Sequence, residues 1–83
     1  MDNQPTLYSA DWCSYCQSLK QWLETNQIKY QEKDVDDPTL RIEMNQLTGG
    51  NQTIPVLFVR DEYFINPSQK TLHQLFNVTK EEK

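Results

Sequence analysis

Cys13 and Cys16 are the only cysteines of the chain, and they stand in the run Asp11-Trp12-Cys13-Ser14-Tyr15-Cys16. Two thiols separated by two residues can close a disulfide within one helical turn. The run follows a short apolar segment and opens a stretch with helical spacing. A thiol at such a helix start faces unpaired backbone N–H groups and the positive end of the helix dipole, and both stabilise a thiolate. The thiolate is the species that attacks a disulfide or binds a metal. A C-x-x-C pair beside a β-α-β pattern therefore reads as thiol–disulfide chemistry.

Other uses of the pair need more partners. A closed zinc site takes about four ligands. The chain offers two cysteines and a single histidine, His73, far along the sequence, so a zinc site within one chain would have to recruit carboxylates. A metal ion or iron–sulfur cluster shared between two chains asks for fewer ligands from each and stands as a reading of another class. A purely structural disulfide would close a very small loop and remove little entropy from the unfolded chain.

The elements that must position the pair can be read around it. Thr6-Leu7-Tyr8-Ser9 is a strand candidate. From Ser14 to about Asn26 the apolar residues Cys16, Leu19 and Leu23 recur with helical spacing, and Tyr15, Leu19 and Trp22 make a neighbouring row. Ile28 to Val35 reads as a second strand. Asp36-Asp37-Pro38 is a helix start, an Asp cap followed by a proline whose missing N–H costs nothing in a first turn. Leu40, Met44 and Leu47 give that helix its apolar face, and Gly49-Gly50-Asn51 ends it. Ile54 to Val59 is the most apolar stretch and reads as a central strand. Arg60-Asp61-Glu62 is a polar turn, and Tyr63-Phe64-Ile65 returns as a hairpin partner. Asn66-Pro67-Ser68 opens a last helix with Leu72, Leu75 and Phe76 on its apolar side. Thr79 to Lys83 is charged and expected to fray. The order β-α-β-α-β-β-α specifies an α/β fold with a four-stranded mixed sheet and helices on both faces.

The bulk composition narrows the function classes. Eighty-three residues make one small domain, residues 1–83. A net charge of −4 and the absence of a basic stripe argue against a nucleic-acid partner. Met1-Asp2-Asn3-Gln4-Pro5 carries no apolar core and does not read as a secretory leader. No apolar run approaches membrane-spanning length, so no membrane partner is expected. A soluble, monomeric, cytoplasmic protein is the expectation. In that reducing compartment a lone cysteine pair is a redox or metal-binding device rather than a permanent crosslink.

The element order, together with Trp12-Cys13-Ser14-Tyr15-Cys16, Gly49-Gly50-Asn51, Thr53-Ile54-Pro55 and Asn66-Pro67-Ser68, resembles the glutaredoxin branch of the thioredoxin fold. Within that branch it is most similar to the mycoredoxins. The resemblance covers nearly the whole chain. It implies that Cys13 is the nucleophile and Cys16 the resolving cysteine of a redox-active disulfide. It places Tyr15 at the aromatic of the family's Cys-Pro-Tyr-Cys signature. Thr53-Ile54-Pro55 falls on the family's Thr-Val-Pro, whose proline is cis. A cis bond there would turn the Ile54 backbone toward Cys13, where it could pair with an extended substrate segment. Asn66, Pro67 and Ser68 fall where many members carry a Gly-Gly-x-Asp segment that binds glutathione.

The implied activity is reduction of protein disulfides or small-thiol mixed disulfides. No tightly bound cofactor is implied; the electron donor is a low-molecular-weight thiol, mycothiol or glutathione. An alternative wiring is direct reduction by a flavoprotein reductase, as in redoxins that feed ribonucleotide reductase. The departures from the family pattern bear on the donor. Ser14 replaces the usual proline, Ala10 stands where many members have a lysine, and the Gly-Gly-x-Asp segment is absent. For Trp12 and Tyr15 the functional expectation is an apolar substrate platform, and the plain alternative is core packing. On general grounds the better-supported role for Asn66 and Ser68 is to cap the last helix. His73 is expected on a helix surface or packed, and Asp11 in a solvated loop.

Overall fold

The computed structural model describes residues 4–76. The expectation for Thr79–Lys83 lies outside these residues. Seven elements follow in the expected order: β1 (Thr6–Ser9), α1 (Ser14–Thr25), β2 (Gln31–Asp34), α2 (Pro38–Leu47), β3 (Val56–Val59), β4 (Glu62–Ile65) and α3 (Gln69–Phe76). They build one four-stranded sheet with spatial order β2-β1-β3-β4. β1 runs parallel to β2 and antiparallel to β3, and β3 pairs antiparallel with β4. The sheet is mixed because α1 carries the chain back to begin a parallel strand, whereas β3 and β4 are joined by a tight hairpin.

Alternation along the two central strands sends side chains to both faces. On one face Leu7, Leu57 and Val59 pack with Leu19 and Leu23 of α1 and Leu72 of α3. On the other, Tyr8 and Val56 pack with Met44 of α2, Val35, Ala10, Cys13 and Cys16. Each large aliphatic side chain buried this way contributes roughly 1.5–3 kcal/mol. The two cysteines thus belong to the α2-side core although Cys16 is carried by α1.

The edge strand β2 has a different role. It buries none of its four residues and begins later than the Ile28-to-Val35 expectation. Ile28 belongs instead to the stop of α1. Gln27 has a φ of 58°, and the Ile28 N–H donates to the Leu23 carbonyl at 2.8 Å, the Schellman arrangement that closes a helix. Glu32 and Lys33, adjacent on β2, then clamp opposite faces. Glu32 pairs with Lys20 of α1 at 2.7 Å, and Lys33 pairs with Glu43 of α2 at 2.7 Å. Tyr8 donates its hydroxyl to the same Glu43 carboxylate.

α2 starts as its sequence dictates: the Asp37 carboxylate accepts from the Thr39 N–H at 2.9 Å, with Pro38 in the first turn. Its buried row differs from the expected Leu40, Met44 and Leu47. The row continues by four, from Met44 to Thr48, and Leu47 is left 53% exposed. Thr48 tolerates burial because its hydroxyl donates to the Met44 carbonyl at 2.8 Å. Gly49, at a φ of 69°, then allows the Gly50 N–H to return to the Asn45 carbonyl at 2.8 Å. Between β3 and β4, Arg60 and Asp61 both adopt positive φ, 49° and 73°, which is the two-residue turn that matches strand twist.

Candidate redox site

The site is built where β1 hands over to α1. Ser14 is the first helical residue, so Cys13 is the N-cap, with extended backbone (φ −95°, ψ 113°). An N-cap side chain is placed to accept a hydrogen bond from the first turn. Here the acceptor is sulfur: the Cys13 Sγ takes the Cys16 N–H at 3.2 Å. The Cys13 N–H is itself satisfied by the Ala10 carbonyl at 3.2 Å. Negative charge on Cys13 Sγ would be held by that N–H and by the helix N-terminus.

Both cysteines are free thiols, and both are buried: Cys13 is 7% exposed and Cys16 has no exposed surface. The two thiols are therefore unequal. Burial, with the hydrogen bond to Cys13 behind it, pushes the Cys16 thiol up to about 12. Cys13 is the one that keeps some exposure, at the rim of the site, and its sulfur accepts a helix-start N–H.

Trp12 and Tyr15 flank this rim and are 70% and 66% exposed. Core packing, the plain alternative for Trp12, is not what the fold does with it, and Tyr15 does not join the buried row of α1. Trp12 is nonetheless fixed at one point. Its indole Nε1–H donates to the Asp36 carboxylate at 3.0 Å. Asp36 is oriented in turn by a backbone hydrogen bond from its own N–H to Asp34 Oδ1 at 2.9 Å. An aromatic face left in water beside a thiol, with its polar edge tied down, is a surface on which a partner can lie. Asp36 had no sequence signal for this role beyond its place in a helix-start run.

The third segment of the site arrives from the start of β3. The Ile54–Pro55 peptide bond is cis. Ile54 packs against the cluster that holds Cys13 and Cys16, and Pro55 is buried. Thr53 is exposed, with its carbonyl accepting from the Asn51 side chain at 2.9 Å. The strand begins at Val56, two residues later than expected, because Ile54 and Pro55 form the loop at the site instead of pairing.

Asn66, Pro67 and Ser68 divide their roles. Asn66 takes a φ of 46° at the end of β4, and its N–H donates to the Pro55 carbonyl at 2.8 Å. It thereby ties this segment to Pro55 rather than capping α3. The cap is Ser68, whose Oγ accepts from the Thr71 N–H at 3.3 Å. Pro67 lies between them, half-buried. His73 packs its ring against Trp22, with centroids 5.6 Å apart, far from any site role. Asp11 is exposed, as expected of a loop residue, and its carbonyl accepts from Gln17 at 3.1 Å. Ala10, in the position of the family's lysine, is 1% exposed and part of the core.

Among the described residues no three His, Cys, Asp or Glu side chains stand together to hold a metal ion, and no helix is long and apolar enough to cross a membrane. A cavity of about 1010 Å³ lies away from the cysteines. It opens on the α2 face at the far end of the strands, between Thr6, Lys33, Phe58 and the Arg60-Asp61 turn.

Comparison with known proteins agrees with this geometry. The matching family model is Glutaredoxin, over residues 6–64. A protein of Mycobacterium tuberculosis that carries a provisional glutaredoxin name is 38% identical over 65 residues, 76% of this chain and 77% of its own length. Among solved structures, a glutaredoxin of Archaeoglobus fulgidus superposes with a TM-score of 0.79 at 13% identity, covering 92% of this chain and 88% of that one. A buckwheat glutaredoxin, solved in complex with glutathione, superposes with a TM-score of 0.62 at 23% identity, covering 74% of this chain and 58% of its own.

Proposed function

This chain belongs to the glutaredoxin family and is a thiol–disulfide oxidoreductase of thioredoxin fold, and from that premise we propose that Cys13 is its nucleophile and Cys16 its resolving thiol. The observation that carries the assignment is the N-cap hydrogen bond from Cys16 N to Cys13 Sγ at 3.2 Å. Cys13 attacks a substrate disulfide as thiolate, and a mixed disulfide forms while the other substrate sulfur leaves and is protonated. Cys16 then attacks Cys13 and releases the reduced substrate, leaving a Cys13–Cys16 disulfide. Where the adduct is a small thiol, a second small thiol can attack in place of Cys16. Rates in each step follow the attacking and leaving thiols.

Substrate contact is assigned to the surface around Cys13. Trp12 and Tyr15 supply exposed aromatic area. Thr53, Ile54 and Pro55 supply a non-helical backbone segment beside the thiols, suited to an extended peptide. Asn66, Pro67 and Ser68 form the neighbouring rim, where the α3 N-terminus could meet a carboxylate of a small thiol.

Electrons come from a low-molecular-weight thiol. The buckwheat structure, solved with glutathione, supports a glutathione-type donor. Buried Ala10 and the absence of a Gly-Gly-x-Asp segment weaken the case for glutathione itself and leave room for mycothiol or another small thiol. The protein acts as a monomer in the cytoplasm on disulfide-bearing proteins, where a reducing thiol pool keeps the pair cycling. Coupled NADPH consumption with purified protein tests this directly, comparing mycothiol, glutathione and a thioredoxin reductase as donors. Turnover with mycothiol or glutathione and the matching reductase is expected; turnover with thioredoxin reductase alone would overturn the donor assignment.

A further inference from the structure

Cys16 must react from a place with no exposed surface. A thiolate there needs a positive charge nearby, because burial alone disfavours the charged form. Its neighbours in the core are Tyr8, Ala10, Val35, Met44 and Val56, with Cys13 beside it. Of these only Tyr8 and Cys13 titrate, and the Tyr8 hydroxyl is engaged with Glu43.

α1 itself supplies the charge. Lys20 lies four residues after Cys16, the spacing that stacks two side chains on one helix face. Long side chains on a helix lean back toward its N-terminus, which carries Lys20 toward Cys16. Its side chain is only 13% exposed. The ammonium donates to Glu32 Oε2 at 2.7 Å, and the same oxygen accepts from Ser9 Oγ at 2.9 Å. Ser9 is fully buried. The ammonium is thus pinned between α1, β1 and β2, its own side chain mostly covered while Glu32 stays 38% exposed. Against the dominant upward push of burial it offsets the rise of the Cys16 thiol only slightly, and Asp11 also acts on the Lys20 charge.

We propose that Lys20, clamped by Glu32 and Ser9, is a positioning residue for the second thiol exchange, its ammonium stabilising the buried Cys16 as it takes on negative charge. This rests on the roles assigned above to Cys13 and Cys16. In the step concerned, the Cys16 thiol gives its proton to water and its sulfur forms a bond to Cys13 Sγ. The bond between Cys13 Sγ and the substrate sulfur breaks. That sulfur leaves with the electron pair and takes a proton from solvent, so the substrate is reduced and the cysteine pair oxidised.

Ellman's reagent separates the two exchanges in stopped flow. One equivalent added to reduced protein releases a first coloured thiolate when Cys13 attacks and a second when Cys16 displaces the adduct. Lys20→Met should slow the second phase roughly tenfold, the scale of a nearby opposite charge, and leave the first within about twofold. Lys20→Arg, which keeps the charge, should restore most of the second-phase rate. Glu32→Gln, which loosens the clamp, should fall between. A second phase in Lys20→Met equal to the parent's would overturn the inference, and so would a Lys20→Arg no faster than Lys20→Met. A parent protein with no second phase would overturn the Cys13–Cys16 assignment itself, so the two failures read differently.

Discussion

The Cys13 sulfur caps the helix that carries Cys16: the Cys16 N–H points at Cys13 Sγ at 3.2 Å, while the Cys16 side chain is fully buried beneath it. One bond joins a structural duty to a chemical one.

The two duties can be separated by substitution. Serine is a strong N-cap, so Cys13→Ser should unfold in urea close to the parent, whereas Cys13→Ala should lose about 0.5–2 kcal/mol. Both should lose all disulfide reduction. Cys16→Ser should lose reduction of protein disulfides yet keep turnover on a peptide–small-thiol mixed disulfide. Substantial activity in Cys13→Ser would be incompatible with Cys13 as nucleophile.

Trp12 should matter for substrates and hardly at all for folding. Being 70% exposed, it should change stability by no more than about 0.5 kcal/mol when replaced by alanine. The same substitution should raise KM for protein disulfides. Asp36→Ala removes the partner of the indole N–H and should lower the fluorescence anisotropy of Trp12, read in a Trp22→Phe background. An anisotropy unchanged by Asp36→Ala would mean that the carboxylate does not hold the ring.

Acid should weaken the clamps of β2. Hydrogen bonding from Lys20, then from Ser9, holds the Glu32 carboxyl below the usual carboxylate range, and Lys33 and Tyr8 do the same for Glu43. Groups with lowered folded values contribute stability that is present above their unfolded titration, near about pH 4.3, and lost as pH falls through their folded values. Both side chains are more than a third exposed, 38% and 36%, so solvent screening keeps the effect modest. Urea unfolding from about pH 6 down to about pH 3 should show falling stability, with a shallower fall in the Glu32→Gln, Glu43→Gln double variant. Equal slopes in the two proteins would show that these pairs add nothing.

Ala10→Lys, which would restore the family's common lysine, should destabilise this protein. The site is 1% exposed and packed in the cysteine-side core. Overpacking alone costs about 1–3 kcal/mol, before the cost of burying an amine. Thermal unfolding should show a clear drop in Tm; an unchanged Tm would mean that the local backbone opens to let the amine reach water.

Much of this architecture was legible because it is written locally. A capping residue bonds within its own first turn, so Asp37-Pro38 marked the start of α2. Helical spacing marked Cys16, Leu19 and Leu23 as one buried row. The C-x-x-C spacing by itself pointed to thiol chemistry at a helix start. The family pattern over Thr53-Ile54-Pro55 pointed to a cis bond, and the Ile54–Pro55 bond is cis. None of these depends on how the strands are ordered.

What tertiary structure decided are relations between residues far apart in sequence. Trp12 and Asp36 meet because β2 lies beside β1 and delivers the loop before α2 to the same end of the sheet. Asn66 reaches Pro55 because β4 pairs with β3 with Ile65 opposite Val56. Ser9, Lys20 and Glu32 converge from three elements onto one carboxylate oxygen. Leu47 and Tyr15 looked like core by type, yet lie outside it. A helix packed on a sheet buries one narrow stripe, and its exact rotation is set by the surface it meets: Thr48 with its internal hydrogen bond fits under α2 where Leu47 does not.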